Sequence, residues 1–207
     1  KALTYIVECS IRGDGMDSKT LGSSLAVGDI VFVHIDALFF SKVARDTGSW
    51  TNHVGIVTDI SNGEPIICES TVPFSKRTKL SRFIARSKDR RVTVKRLSHP
   101  MNQAQQAAIQ KSAKKRLYRL YDGGFNLASR KQFCSRFVYE VVKESLDIEL
   151  GKVQTLRTLL DENPDADMRF WRLWYFGRIP WERKTVTPAS QLNDPQMETV
   201  FEGNLAA

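Results

Sequence analysis

Cys134 and His53 are the residue types from which a thiol–imidazole hydrolase is built, and Glu69 stands between them in the chain. Cys134 lies in Arg130-Lys131-Gln132-Phe133-Cys134-Ser135-Arg136-Phe137-Val138-Tyr139, His53 in Asn52-His53-Val54-Gly55-Ile56-Val57, and Glu69 in Ile66-Ile67-Cys68-Glu69-Ser70-Thr71. Only thiolate attacks a carbonyl, and a free cysteine with a pKa of ~8.5 is mostly protonated at neutral pH. A helix N-terminus and an adjacent imidazolium can bring it to roughly 3.5–7.5. A third group orients the ring, commonly a carboxylate on the far imidazole nitrogen. Glu69 is the candidate for that role, with Asp59 and Asp122 as weaker alternatives.

Each residue also has a plainer reading. Free cysteines are among the most buried residues and pack as small hydrophobes. A lone histidine on an apolar strand is commonly a hydrogen-bonded core residue. Glu69 follows Pro65-Ile66-Ile67-Cys68 directly. A carboxylate there needs a cation or donor nearby, because carboxylates are almost never fully buried without a partner.

The elements that must position these groups can be read from periodicity. Phe133, Phe137 and Val141, with Cys134, Val138 and Val142, recur at i and i+4 and form one apolar stripe of a helix, so Cys134 faces inward. Its start has two readings: a capping box of Ser129 and Gln132 places Cys134 in the second turn, whereas a start nearer Gln132 places it at the dipole. Val54-Gly55-Ile56-Val57-Thr58 reads as a buried strand, with Gly55 on the face of His53, where it leaves room for a helix to approach.

Residues 53–59 and 65–70 flank Ser61-Asn62-Gly63, a hairpin signal. A strict two-residue turn at Asn62-Gly63 would pair Glu69 with Ile56 and turn His53 to the opposite face. A three-residue loop or a one-residue bulge places His53 and Glu69 on one face, and the catalytic reading requires that register. In either case Cys68 points away from Glu69.

At 207 residues and 42% hydrophobic composition, the chain can bury one core. Three cysteines without C-x-x-C spacing argue against a disulfide framework or zinc site and for reduced thiols in a cytoplasmic setting. The three histidines, at 34, 53 and 99, make no metal pattern, and no metal or cofactor is expected. No stretch approaches 18 apolar residues, and no signal-peptide core is visible; a chain starting at Lys1 rather than Met is compatible with removal of a leader.

Along the chain, residues 1–24 read as a polar leader of uncertain order, 25–191 as the catalytic domain and 192–207 as a loosely ordered tail. Within the domain, Val27–Ile35 reads as a strand, Ala37–Ala44 as helical, Lys79–Arg86 as a helix and Arg91–Leu97 as a strand. Asn102–Leu117 and Val153–Leu160 read as further helices.

Several segments resemble the permuted papain-like amidases of the NlpC superfamily, the group that includes the bacterial YebB and YiiX proteins, and the likeness is closest to YebB. They are Val27-Gly28-Asp29-Ile30-Val31-Phe32, Asn52-His53-Val54-Gly55-Ile56, Cys68-Glu69-Ser70, Leu80-Ser81-Arg82-Phe83-Ile84, Leu120-Tyr121-Asp122, Gln132-Phe133-Cys134-Ser135 and Ile179-Pro180-Trp181-Glu182-Arg183-Lys184. The likeness runs from about Val27 to about Gln191, and Lys1–Ser24 departs from it. The order histidine, acid, cysteine suits a permuted fold, since in the papain type the nucleophile comes first.

The resemblance implies an α+β, circularly permuted papain-like fold, with an antiparallel sheet packed on the helix bearing the cysteine. It also implies a Cys-His-Glu triad of Cys134, His53 and Glu69. Amide hydrolysis through an acyl-enzyme is the expected reaction. Helix-start geometry suggests the Cys134 backbone N–H, with the Gln132 side chain, as oxyanion donors. Tyr121 is a candidate pocket residue, with a hydrogen-bonded core tyrosine as its plainer reading.

Two other readings arise from charge and aromatics. From Lys76 to Arg119 there are fifteen Lys or Arg against one acid, Asp89. Such a belt could bind nucleic acid. It lacks the alternation of aromatic and basic residues on which single strands stack, and a solvated face or an anionic substrate suits it better. Phe170-Trp171-Arg172-Leu173-Trp174-Tyr175-Phe176 prompts the other reading, a lipid acyl hydrolase or acyltransferase in peripheral contact with a membrane. A roof over the core is the plainer account of that run.

Overall fold

Runs that are apolar on both faces must be covered on both faces, and Ile30–Val33 and Val54–Val57 meet that need in the middle of a seven-stranded sheet. The computed structural model of the chain describes residues 11–12 and 15–206. The elements in order are β1 (Ile11–Arg12), α1 (Ser18–Ser24), β2 (Ile30–Ile35), α2 (Leu38–Asp46), β3 (His53–Asp59), β4 (Ile66–Glu69), β5 (Lys76–Lys79), α3 (Leu80–Ile84) and β6 (Ser87–Leu97). They continue with α4 (Gln103–Lys115), α5 (Cys134–Leu146), β7 (Gln154–Thr155), α6 (Leu156–Asp161), α7 (Met168–Trp174), β8 (Lys184–Thr185), α8 (Pro188–Leu192) and β9 (Met197–Asn204).

The large sheet has the order β1-β9-β6-β2-β3-β4-β5, antiparallel throughout except for the parallel β1–β9 pair. One face buries Ile30, Phe32, Val54, Ile56 and Cys68 against α4 and α5, with Ile109, Phe137, Val138 and Val141 facing them. The other buries Val31, Val33, Val57 and Ile67 under Leu21 of α1 and Leu80, Phe83 and Ile84 of α3. A third apolar cluster joins Val43 of α2, Leu160 of α6, Trp171 of α7 and Ile179. The architecture is the α+β sheet-on-helix arrangement expected for the permuted papain-like fold.

The hairpin register decides the site. Ile56 pairs with Cys68 and Val57 with Ile67, then the ladder slips so that Asp59 pairs with Ile66. The slip is a one-residue bulge at Thr58. It sets Gly55 opposite Glu69 and puts His53 and Glu69 on one face. Gly63, at φ +75, takes the left-handed conformation the turn needs.

The space left by Gly55 is filled by Ile67 of β4 and Phe83 of α3 rather than by the cysteine helix. A Cβ there would stand 2.4 Å from Ile67 Cγ2, 3.1 Å from Phe83 Cε2 and 3.2 Å from the Cys68 carbonyl oxygen. Gly55→Ala is therefore expected to cost roughly 2 kcal/mol and to lower the melting temperature by about 4–8 °C, measured by circular dichroism.

Two sequence expectations need correction. Residues 192–207 were expected to be loosely ordered, but Met197–Asn204 forms β9, paired with Arg91–Leu97 of β6. Its Phe201 is buried in the second core, and the strand covers an edge that β6 would otherwise expose. Of the expected leader, residues 1–10, with Cys9, and 13–14 lie outside the described residues. Within the rest, Ile11–Arg12 pairs with β9, and α1 is capped by Asp17, whose Oδ1 accepts from the Thr20 N–H at 2.7 Å. Lys76-Arg77-Thr78-Lys79 forms the edge strand β5, where lysines discourage further pairing.

The basic belt is also less cationic in space than in sequence. Arg77 pairs with Asp59, Lys79 with Glu64, Arg86 with Glu69, Arg91 with Glu202, Arg96 with Asp29, Lys115 with Glu144 and Arg116 with Glu140. Seven of the fifteen cations thus meet acids drawn from elsewhere in the chain, which removes the main argument for a nucleic-acid surface. Among the described residues, no helix is long and apolar enough to cross a membrane.

Candidate active site

α5 begins at Cys134, with Phe133 at its N-cap and no side chain capping the first turn. Ser129 accepts from the Lys131 N–H at 3.0 Å instead of capping the helix, so the later of the two starts holds. Arg136 fixes the approach to the helix, its Nη1 donating to the carbonyls of Asn126, Ser129 and Lys131 at 3.2, 2.7 and 2.8 Å. From the opposite side, Ser135 Oγ donates to the Val186 carbonyl at 2.8 Å and Gln191 Nε2 to the Ser135 carbonyl at 2.9 Å. Val186 and Gln191 thus hold the first turn of α5 in place.

His53 begins β3, and its neighbour Asn52 brings the strand end to the helix start: Cys134 Sγ donates to the Asn52 carbonyl at 3.9 Å. His53 and Glu69 are fully buried, and His53 Nε2 meets Glu69 Oε2 at 2.6 Å. His53 Nδ1 is buried without a hydrogen-bond partner. Burial alone would lower the His53 pKa, but the Cys134 sulfur and the Glu69 carboxylate outweigh it and raise the value to about 9. The sulfur is thus close enough to bias the ring while its hydrogen bond still goes to Asn52. Unliganded sites often show such loose geometry.

Glu69 has the partners that its burial demands. Oε1 accepts from Thr78 Oγ1 at 2.5 Å, and Arg86 Nη2 lies 2.7 Å from Oε1 and 2.8 Å from Oε2. Burial pulls its pKa up, yet His53 and Arg86 together lower it to about 2. The alternatives to Glu69 are engaged elsewhere. Asp59 accepts from Ser61 and Arg77, and Asp122 accepts from the Gly124 and Asn126 N–H groups as a turn cap.

Tyr121 is brought to the thiol by a clamp on the segment before α5. The Gln132 N–H donates to the Leu120 carbonyl at 2.9 Å, the Asp122 N–H to the Gln132 carbonyl at 2.8 Å, and Ser70 Oγ to the same carbonyl at 3.0 Å. The Tyr121 hydroxyl oxygen is buried without a partner. Burial, with the Cys134 sulfur beside it, raises its pKa well above the usual range, so it remains a donor. The Gln132 side chain turns the other way, donating to Glu140 Oε2 at 3.2 Å. Its Nε2 is thus bonded to Glu140, where the sequence expectation had it facing an oxyanion.

Phe40 of α2 packs edge-on against both His53 and Tyr121, at ring-centroid distances of 6.3 and 6.2 Å. Cys68 lies on the opposite face with its Sγ 3.2 Å from Thr58 Oγ1, and burial pushes its thiol pKa up. Sequence reasoning asked for a partner to Glu69 but did not pick out Arg86 or Thr78. The only available signal was the unmet charge of Glu69, and fifteen cations in the belt could have answered it.

A buried thiol at the first turn of a helix, with an imidazole and a carboxylate on the sheet packed against it in the chain order histidine, glutamate, cysteine, defines a permuted papain-like protein. The chain belongs to the permuted papain-like amidase family YaeF/YiiX, C92, whose model matches residues 24–201. That places it in a class of peptidase- and amidase-like cysteine hydrolases.

The chain is 27% identical over 173 residues to the uncharacterized protein YiiX of Escherichia coli strain K12, covering 84% of each chain. It is also similar to the crystal structure of YiiX from Escherichia coli O157:H7, with a TM-score of 0.77 and 26% identity, over 87% of this chain and 98% of that one. The latter is described as a metalloprotein. Here, among the described residues, no three His, Cys, Asp or Glu side chains come together to hold a metal ion. The Glu69 oxygens are already filled by His53, Thr78 and Arg86, and a metal would have to displace that cation.

Proposed function

We propose that the protein hydrolyses an amide through an acyl-enzyme on Cys134, with His53 as acid and base and Glu69 as the orienting carboxylate. The observation that carries this reading is the His53 ring, with one nitrogen held by Glu69 at 2.6 Å and the other buried and unpartnered beside Cys134. The Cys134 sulfur attacks the carbonyl carbon, and the C=O electron pair moves to oxygen. The oxyanion is met by the Cys134 backbone N–H at the uncapped helix start and by the Tyr121 hydroxyl. The imidazolium gives its proton to the departing amine as the C–N bond breaks. Water, deprotonated by His53, then cleaves the thioester and releases the acid. Of the expected oxyanion donors, Gln132 drops out and Tyr121 takes its place.

The pH dependence tests it. Acylation by an amide needs the imidazolium, so its rate is expected to fall as pH rises through about 9, where His53 loses its proton. Glu69→Gln removes an anion that holds the proton on the ring, so this alkaline limb should move down toward the ordinary imidazole value of ~6.5. Hydrolysis rates of an acyl anilide from pH 5 to 10 in both proteins check this. A limb in the same place in Glu69→Gln would remove Glu69 from the role.

A further inference from the structure

The Cys134 thiol borders a chamber that the chemistry above leaves without an occupant. Its volume is about 30 Å³, and its walls include Phe40 and Val43 of α2, Leu160 of α6, Trp171 and Tyr175 of the α7 region, and Tyr121. Asp46 is the one carboxylate on this wall among the described residues, and it is engaged: Trp171 Nε1 donates to it at 2.8 Å, Arg45 Nε at 2.9 Å and the Asp167 N–H at 3.2 Å. The hydroxyls of Thr47 and Ser135 donate to backbone carbonyls at 2.8 Å each. The chamber therefore offers hydrocarbon to whatever fills it and has no charge free to meet a charged group.

Geometry says which half of the substrate enters. Asn52 rather than His53 borders the chamber, and the leaving amine must lie at His53 to receive its proton. The group that remains on sulfur is the acyl group, and its first atoms lie within two bonds of Sγ. A volume of 30 Å³ holds about two or three heavy atoms, since one water-sized occupant needs ~10–15 Å³.

We propose that the chamber selects a short, uncharged aliphatic acyl group, acetyl to butyryl in size, on the scissile amide. This rests on the amidase reading and adds the substrate class. Leu160, Val43 and Trp171 are among the walls that bound this space, which is too small for a long acyl chain.

The test is a series of acyl 4-nitroanilides bearing acetyl, butyryl, octanoyl and dodecanoyl groups, followed by kcat/KM and by intact mass of the trapped acyl-enzyme. The expected result is an optimum at acetyl or butyryl and a loss of about tenfold or more at octanoyl. Leu160→Ala deepens the chamber and should move the optimum toward longer chains. Val43→Ala is the second variant should the first fail to fold. A wild-type optimum at octanoyl or dodecanoyl, or a flat profile, with turnover still dependent on Cys134, overturns the chamber's role and leaves the amidase reading standing. No turnover and no adduct on Cys134 with any member of the series overturns both.

Discussion

Cys134→Ala is expected to lower hydrolysis of an acyl anilide by about 10⁴-fold or more while the fold survives. The side chain is 3% exposed at the start of α5, and removing its sulfur leaves a small void worth about 1 kcal/mol. For a chain of 207 residues that is a fall in melting temperature of about 2–4 °C. Cys134→Ser introduces a hydroxyl into the same buried place at roughly 1–3 kcal/mol, and acyl transfer should vanish with it. Intact mass after exposure to an electrophilic acyl probe checks the assignment. Wild type should gain one adduct, Cys134→Ala none, and Cys68 should stay unlabelled because burial holds its thiol protonated. An adduct that persists in Cys134→Ala would place the nucleophile elsewhere.

Arg86→Met should produce the largest loss of stability. The guanidinium contacts both oxygens of a carboxylate that is itself fully buried, and removing it leaves Glu69 with His53 and Thr78 alone. Breaking a buried pair on one side costs about 3–5 kcal/mol, and the 30% exposure of Arg86 favours the lower end, about 3. That corresponds to a fall of about 6–12 °C in melting temperature. The sign with pH follows from Glu69. Its folded pKa lies below its ordinary value of 4.5, so its contribution is fully present above that value and is lost as pH falls through about 2. Without Arg86 the folded pKa rises, and acid unfolding should begin at a higher pH. Thermal melts between pH 2 and 5 read the shift. The double variant Arg86→Met, Glu69→Gln should be more stable than Arg86→Met, because neutral glutamine leaves no buried charge unpaired. If the double variant is no more stable, the ion pair is not the source of the loss.

The chain order His53, Glu69, Cys134 was readable from residue types and apolar periodicity. The stripe from Phe133 to Val142 sets Cys134 inward on α5, and the both-face apolar run after His53 makes β3 a central strand. Parity went further. Because side chains alternate along a strand, a strict two-residue turn would have separated His53 from Glu69; the catalytic reading therefore required a three-residue loop or a bulge, and the structure has the bulge, at Thr58.

Other features were decided only by contacts between distant segments. The expected tail became β9 because the edge of β6 and the core around Phe201 needed covering, and neither is visible within residues 192–207. The space at Gly55 went to Ile67 and Phe83 because α3, not α5, lies over that face of the sheet. Gln132 turned to Glu140, eight residues on, where Arg116 and Arg136 also converge. Arg86 was one of fifteen cations in a run with a single acid, and sequence alone could not choose among them. Periodicity is a local property, and it determined which residues face inward and in what order they occur. Charge pairing and edge covering depend on which surfaces meet, so the tertiary structure alone decided that Glu69 is held by Arg86 and Thr78 and that His53 keeps one nitrogen free beside the thiol.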